Sequence, residues 1–208
     1  MSQALKYGSM MHLNGHLLCA VDVETTGLIP TIHDIATVCI MPLNEQLLPS
    51  REIIPFNMML QPKRPENVDP EALNKCRLKL SDLILNGFDA WKAADLFDEW
   101  FEKLRLPGGK KIAPLAHNWP FDRSFIIDWL GNLNYEGRFY HRYRDPMVIA
   151  NYMNDLADLR GETYPYPKLE LPYLISQMKI ELPGQLHDAM IDCVAVAEVY
   201  KQLIYRHR

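Results

Sequence analysis

The sequence predicts an α/β fold with a central five-stranded mixed sheet flanked by helices. Three observations lead to this fold class. Residues 17–21 are an uninterrupted apolar run that is typical of a buried strand, two β-rich segments follow it, and amphipathic helical segments then alternate with short apolar ones. This order is typical of one α/β domain, and 208 residues are enough to fill a single core.

The five strands are assigned in order along the chain. The first covers residues 17–23, and the second and third, residues 34–41 and 52–60, are closely connected and therefore expected to be antiparallel. Residues 111–116 are a short apolar fourth strand, and residues 138–144 are the fifth. The fifth segment alternates basic and aromatic residues, which indicates either a charged edge strand or a surface that binds single-stranded nucleic acid. The edge strand is the favoured interpretation.

The helices are assigned from their start signals and their apolar stripes. An aspartate followed by proline is a typical helix start and occurs at Asp69 and Asp145, whereas Asp89 precedes a helix with an i, i+3, i+4 apolar stripe. Three further helices are expected over approximately residues 120–130, 170–179 and 188–205. The apolar stripe predicted for the helix after Asp145 consists of Val148, Tyr152, Leu156 and Leu159.

Composition and charge restrict the class of protein. The chain is 48% hydrophobic and 23% charged, and it has no apolar run of about 18 residues, so no membrane contact and no signal peptide are expected. Four scattered cysteines indicate free thiols in a reducing cytoplasm. A net charge of -4 predicts that any nucleic acid is held at a local site rather than on a broad basic face. Residues 1–16 lack periodicity and are predicted to be an extension that can be flexible, ahead of one domain over residues 17–208.

Two carboxylates lie two positions apart at the end of the first predicted strand. Side chains at alternate strand positions point to the same face, so Asp22 and Glu24 are expected side by side. Neighbouring carboxylates raise each other's pKa unless a cation lies between them, and a divalent metal ion is the usual cation. The pair therefore predicts metal-dependent chemistry.

Asp122, Asp192 and His187 are candidates for the remaining groups of this site. Asp122 is expected in the first turn of a helix, where its carboxylate could equally stabilise the helix dipole. Asp192 is expected at the edge of the inward face of the last helix, where it needs a metal or another partner unless it reaches solvent. His187 precedes that helix, and a single histidine in a loop could also be a surface group.

Three motifs occur together in one order: Asp22-x-Glu24-Thr25-Thr26-Gly27, His117-Asn118-x-x-Phe121-Asp122 and His187-x-Ala189-x-x-Asp192. This set resembles the DEDD exonuclease superfamily, in the branch whose third motif contains histidine (DEDDh), and is similar to the DNA polymerase III epsilon-like proofreading exonucleases. The resemblance covers approximately residues 17–205 and implies a ribonuclease H-like fold for a single exonuclease domain. Trp119 departs from the family pattern, because relatives commonly have a small residue there, and it could crowd or stack on the substrate.

The resemblance implies two-metal-ion hydrolysis of phosphodiesters. The carboxylates that would hold two Mg²⁺ or Mn²⁺ ions are Asp22, Glu24, Asp122 and Asp192, with Asp22 bridging the ions. His187 would be the general base. The residues expected to contact the 3′-terminal nucleotide are Val23, Thr25 and Thr26, together with Leu28 as a wedge against the last base. Thr25-Thr26-Gly27 could instead be a simple turn, and Asn118 could orient either the substrate or its own loop.

The expected function is that of a 3′→5′ exonuclease that releases nucleoside monophosphates from mainly single-stranded DNA. A 3′→5′ exoribonuclease acting on RNA or short oligonucleotides is the enzymatic alternative. A non-catalytic, polymerase-associated binding module is the alternative of another class. The expected partners are nucleic acid 3′ ends and a polymerase or another replication or repair protein.

Overall fold

A mixed four-stranded sheet forms the centre of the computed structural model, which describes residues 13–205. The strands are β1 (Leu17–Thr25), β2 (Ile35–Pro42), β3 (Phe56–Met59) and β4 (Ile112–Leu115). Their order is β3-β2-β1-β4; β1 pairs antiparallel with β2 and parallel with β4, and β2 pairs antiparallel with β3. The predicted mixed sheet and the antiparallel pairing of the second and third strands are confirmed.

The prediction of a fifth strand over residues 138–144 is wrong. Residues 139–144 contact β4 only through two isolated bridges, from Phe139 to Ile112 and from Arg144 to Leu115. Two residues separate the bridged positions of β4, but four separate those of the neighbouring segment, so its middle residues cannot stay in register. Pro114 also lacks the N–H that a continuous ladder would need there.

Eight α-helices surround the sheet within residues 13–205, and they are α1 (Pro70–Lys75), α2 (Leu80–Asn86), α3 (Ala90–Lys103), α4 (Trp119–Leu130), α5 (Asn132–Arg138), α6 (Pro146–Leu159), α7 (Leu171–Met178) and α8 (Ala189–Tyr205). The carboxylates of Asp69, Asp89 and Asp145 each accept hydrogen bonds from first-turn N–H groups, which confirms these three helix starts. The short helices α2 and α5 were not expected from the sequence. In this part of the chain no helix is both long and apolar enough to cross a bilayer.

The apolar stripe predicted for α6 does not pack into the core. Val148, Tyr152 and Leu159 are 55%, 58% and 84% exposed. The buried positions of α6 are instead the small residues Ala150 and Ala157, beside Pro146. Small side chains let the helix backbone come close to α8, whereas Val148, Tyr152 and Leu159 face outward.

The two faces of the sheet are covered by separate apolar clusters, and this separation determines where the acidic side chains lie. Leu18 and Ala20 of β1 belong to the cluster formed with α7 and α8, whereas Leu17, Cys19 and Val21 belong to the cluster formed with α3 and α4. Because strand side chains alternate, the even-numbered positions that follow, Asp22 and Glu24, lie on the α8 face.

The described chain begins inside the predicted N-terminal extension. Residues 1–12 of that extension lie outside the described residues. Leu13 is only 1% exposed and belongs to the α7–α8 cluster, and the ring of His16 stacks on that of Tyr140 at 3.8 Å. The packed part of the chain therefore includes Leu13, and the division into an extension and one domain stays a prediction.

An ion-pair network connects the loop after β1 with α4. The guanidinium of Arg64 lies 2.7 Å from the carboxylate of Asp34 and 2.7 Å from that of Asp128 in α4. Asp34 is only 3% exposed, so its charge depends on this partner. Lys63 also contacts Asp128, at 2.9 Å, but on the solvent side.

We expect Arg64→Met to lower the free energy of unfolding by about 3 kcal/mol, because it leaves the buried carboxylate of Asp34 without its cation. Lys63→Met is the matched control and should cost less than about 1 kcal/mol, since its ion pair is exposed. Urea unfolding of both variants measures the difference. Equal costs would contradict the assigned role of Arg64.

Candidate functional site

The end of β1 places two carboxylates beside α8. Glu24 is 9% exposed and its Oε2 accepts a hydrogen bond from the thiol of Cys76 at 2.7 Å, whereas Asp22 is half-buried. The register of β1 against β2 shifts between Glu24 and Thr25, so the strand becomes irregular directly after the second acid. Both acids therefore lie at the end of β1, where its pairing with β2 becomes irregular.

Asp122 reaches the same strand from the first turn of α4. Its side chain is 4% exposed, and Oδ1 accepts a hydrogen bond from the backbone N–H of Val23 at 3.1 Å. Val23 lies between Asp22 and Glu24, so this bond holds the third carboxylate beside the pair. Asp122 also lies in the first turn of α4, so a contribution to the helix dipole stays an alternative.

Asp192 and His187 complete the group from the start of α8. Asp192 is 7% exposed, and its two carboxylate oxygens lie 3.2 and 3.3 Å from the backbone N–H of His187. His187 has a φ of 66°, in the left-handed region that non-glycine residues rarely adopt. One potential ligand atom from each of Glu24, His187 and Asp192 lies within 4.8 Å of the other two.

Burial and close spacing change the pKa values of these acids. Burial raises the pKa of Asp22 well above its ordinary value, and the carboxylates of Asp122 and Asp192 raise it further. Burial also raises the pKa of Asp122, and it raises that of Asp192 to about 7 with a further contribution from Glu24. Three acids thus retain protons more readily than free carboxylates do, and a bound cation would oppose this change.

The loop after β1 divides the predicted substrate residues into buried and exposed ones. The Thr25 hydroxyl donates to the carbonyl of Gly27 at 2.6 Å, and the fully buried Thr26 hydroxyl accepts from the Asp34 N–H at 2.9 Å. A Cβ at Gly27 would lie 2.1 Å from the His33 ring, so any other residue here would displace that side chain. Leu28 is 75% exposed. The Thr26 side chain therefore holds the loop, while Leu28 is available to a ligand.

Asn118 and Trp119 are held by the carboxylate of Asp145. Its oxygens accept hydrogen bonds from the N–H groups of Asn118 at 3.2 Å and Trp119 at 3.1 Å, and from Met147 at the start of α6. Asn118 is exposed and has a φ of 63°. Trp119 is only 1% exposed, so its indole is part of the core and does not crowd the acidic site.

Cys76 and Arg77 are parts of the site that the sequence analysis missed. The Cys76 thiol contacts Glu24, and the Arg77 guanidinium donates to the carbonyl of Leu186, directly before His187. Both residues follow α1, which packs against the loop after β1 through the hydrogen bond from Asp69 N–H to the Thr26 carbonyl. No spacing signal indicates these contacts, because an isolated cysteine and an isolated arginine fit no motif.

A cavity of about 220 Å³ opens beside the acids. Glu24, His187 and Asp188 line it on one side, and polar and thioether side chains from β2 and β3 line the other: Thr37, Asn57, Met58 and Met59. The cavity is thus bordered by candidate metal ligands and by a surface with both polar and apolar groups.

Comparisons with known proteins give structural matches only. No family model and no curated protein matches the chain. Three solved structures that it resembles are a zinc-bound form of the E. coli exonuclease I complex with single-stranded DNA (TM-score 0.70, 17% identity), exonuclease X in complex with 5′-overhanging duplex DNA (0.61, 19%) and cell-death related nuclease 4, CRN-4 (0.67, 15%). The matches cover 91–92% of this chain, and 41%, 92% and 64% of the respective partner chains.

These similarities establish the fold. A mixed sheet flanked by helices matches the fold of these nucleases. The chain spans less than two-thirds of the exonuclease I and CRN-4 chains, so the activity of those whole proteins does not transfer to it directly.

The raised pKa of Asp192 predicts a pH-dependent stability in the presence of a chelator. Its folded pKa of about 7 exceeds the ordinary value of 3.8, so the folded protein binds more protons than the unfolded one between these values. The free energy of unfolding should therefore fall as the pH rises from about 4 to about 7. Asp192→Asn should flatten this fall, which urea unfolding in EDTA measures. An unchanged pH dependence in the variant would contradict the assignment.

Proposed function

We propose that the chain is a metal-dependent 3′→5′ exonuclease of the DEDDh type that releases nucleoside monophosphates from the 3′ end of mainly single-stranded DNA. The main support is one observation: Glu24, His187 and Asp192 gather within 4.8 Å of one another, next to the carboxylates of Asp22 and Asp122. The structural similarity to exonucleases, two of them in complex with DNA, supports the same activity.

The donor groups suit hard divalent cations. The ligands proposed for two Mg²⁺ or Mn²⁺ ions are Asp22, Glu24, Asp122 and Asp192. Carboxylate oxygens are the donors that these ions prefer, and a cation would oppose both the burial and the carboxylate repulsion that raise the pKa of Asp22 and Asp192. Such ions, when bound, would supply a water of lowered pKa and would stabilise the negative charge on the leaving 3′ oxygen.

His187 is proposed as the general base. Partial burial lowers the pKa of its imidazole, so the ring is neutral at neutral pH and can accept a proton from the attacking water. Its backbone is held at both sides, by the Asp192 carboxylate on its own N–H and by Arg77 on the preceding carbonyl. The ring can therefore change rotamer without displacing the loop.

The 3′-terminal nucleotide is proposed to enter the cavity beside Glu24 and His187. Asn57 and Thr37 offer hydrogen-bonding groups to a sugar or base, and Met58 offers an apolar surface. The exposed Leu28 is proposed to contact the last base, and Val23 and Thr25 to contact the sugar through their backbone, with Thr26 restricted to its backbone. A polymerase or another replication or repair protein stays a predicted partner.

Replacing either acid of the β1 pair should abolish hydrolysis without unfolding the chain. We expect Asp22→Asn and Glu24→Gln to show no release of mononucleotides from 3′- and 5′-labelled single strands in Mg²⁺, because each removes a proposed metal ligand. The matched control is Asp155→Asn, which neutralises an exposed acid on α6. Near-normal activity of either site variant would refute the metal site. Faster digestion of RNA than of DNA by the unmodified chain would favour the exoribonuclease alternative.

His187→Ala should lower kcat on the order of 10²–10⁴-fold, as expected for loss of a general base. Mn²⁺ affinity, measured by calorimetry on the same variant, separates this role from metal ligation. If His187 acts as a base, the variant binds Mn²⁺ with an affinity near that of the unmodified chain. If His187 is a metal ligand, the affinity of the variant for Mn²⁺ is lower. A loss of activity below tenfold would mean that another group takes the proton.

A further inference from the structure

A second cavity, of about 470 Å³, lies at the β4 side of the sheet, away from the acids' cavity. We call it the edge cavity. Three aromatic and three basic residues of its lining are relevant here: Trp119, Tyr140 and Tyr143, and Lys111, Arg123 and His141. Neither the proposed metal site nor the proposed pocket for the terminal nucleotide uses any of them.

The edge cavity lies where the segment predicted as a fifth strand leaves the sheet. Residues 140–143 leave the sheet between the bridges at Phe139 and Arg144, and three of them, Tyr140, His141 and Tyr143, line the cavity. The Tyr143 side chain is 43% exposed, with its ring centre 6.5 Å from that of the buried Trp119. An aromatic face is thus presented at an open rim and supported from behind, which is an arrangement suited to stacking with a planar ligand.

The charge of the rim is opposite to that of the chain as a whole. The net charge is -4, yet the cavity is lined by two permanent cations, Lys111 and Arg123, against a single carboxylate, Glu136. Arg123 is exposed and lies 5.5 Å from the Tyr135 ring, and among residues 13–205 no ion pair neutralises it. Arg138, by contrast, is paired with Asp98 at 2.9 Å. A cavity that combines a cation without a carboxylate partner with the exposed ring of Tyr143 is suited to the phosphate and the base of a nucleotide.

One lining residue of the edge cavity is the chain neighbour of a proposed metal ligand. Arg123 directly follows Asp122 in α4, and Pro120 of the same first turn lines the cavity. We infer that the edge cavity binds single-stranded nucleic acid upstream of the 3′ end, with Tyr143 stacking on a base and Arg123 contacting a phosphate. This inference rests on the proposed function, because it needs a strand whose 3′ end lies at the acids.

The double variant Arg123→Gln, Tyr143→Leu tests this site. It removes the charge and the aromatic face but keeps an apolar side chain against Trp119, so folding should persist, and thermal unfolding checks this. Its affinity for a fluorescent oligothymidylate of about 15 nucleotides, measured by anisotropy in EDTA, should fall about tenfold. The slope of log affinity against log salt should lose about 0.7 for the phosphate contact. The control is the double variant Tyr152→Ala, Arg160→Ala, which changes an exposed residue of α6 and the residue directly after it. It should leave the affinity and the salt slope unchanged.

Hydrolysis separates this inference from the proposed function. The double variant should hydrolyse the p-nitrophenyl ester of thymidine monophosphate as the unmodified chain does, because this small substrate occupies the active site alone, while its KM for the oligonucleotide rises. Unchanged affinity and KM for the oligonucleotide would overturn the edge cavity and leave the exonuclease intact. If the double variant loses affinity and the unmodified chain hydrolyses neither substrate, the edge cavity binds nucleic acid but its place upstream of a 3′ end is refuted together with the exonuclease.

Discussion

The mutual repulsion of carboxylates at the end of β1 is the constraint on which the rest of the site depends. Four acids from three parts of the chain meet there, and burial with close spacing raises the pKa of Asp22, Asp122 and Asp192. Such a cluster destabilises a fold at neutral pH unless cations bind to it. The acidic cluster therefore lowers the free energy of unfolding of the metal-free chain. Metal ions bound during function would offset this loss.

Several contacts around the acids have the effect of keeping them together despite that repulsion. The Val23 N–H binds Asp122, the His187 N–H binds Asp192, and the Cys76 thiol binds Glu24, so each of these carboxylates has one neutral donor from another segment. Neutral donors hold an acid in position without neutralising its charge, which leaves its remaining oxygen lone pairs available to a metal. Further out, Asp145 holds the start of α4, the helix that contains Asp122, and Arg64 connects the loop after β1 with the same helix.

The sequence predicted the parts of the structure that depend on local patterns. The alternation of β1 placed Asp22 and Glu24 on one face, and the aspartate–proline starts located two helices, because both signals are confined to a few neighbouring residues. The prediction of a fifth strand was wrong because pairing also depends on the partner strand β4. The register against β4 and the missing N–H of Pro114 cannot be seen in residues 138–144 themselves. The prediction for the buried face of α6 was wrong because the close packing of Ala150 determines which face is buried. Cys76 and Arg77 were missed since their roles arise only from tertiary contacts.

The central claim is that these four carboxylates form a two-ion site, and the stoichiometry of Mn²⁺ binding tests it most directly. Titration calorimetry with thymidine monophosphate present, with free Mn²⁺ followed by electron paramagnetic resonance, counts the bound ions without relying on turnover. We expect two Mn²⁺ per chain, and one or none when Asp22, the residue proposed to bridge the ions, is replaced by asparagine. No saturable Mn²⁺ binding, or two bound Mn²⁺ in that variant, would contradict the two-ion site.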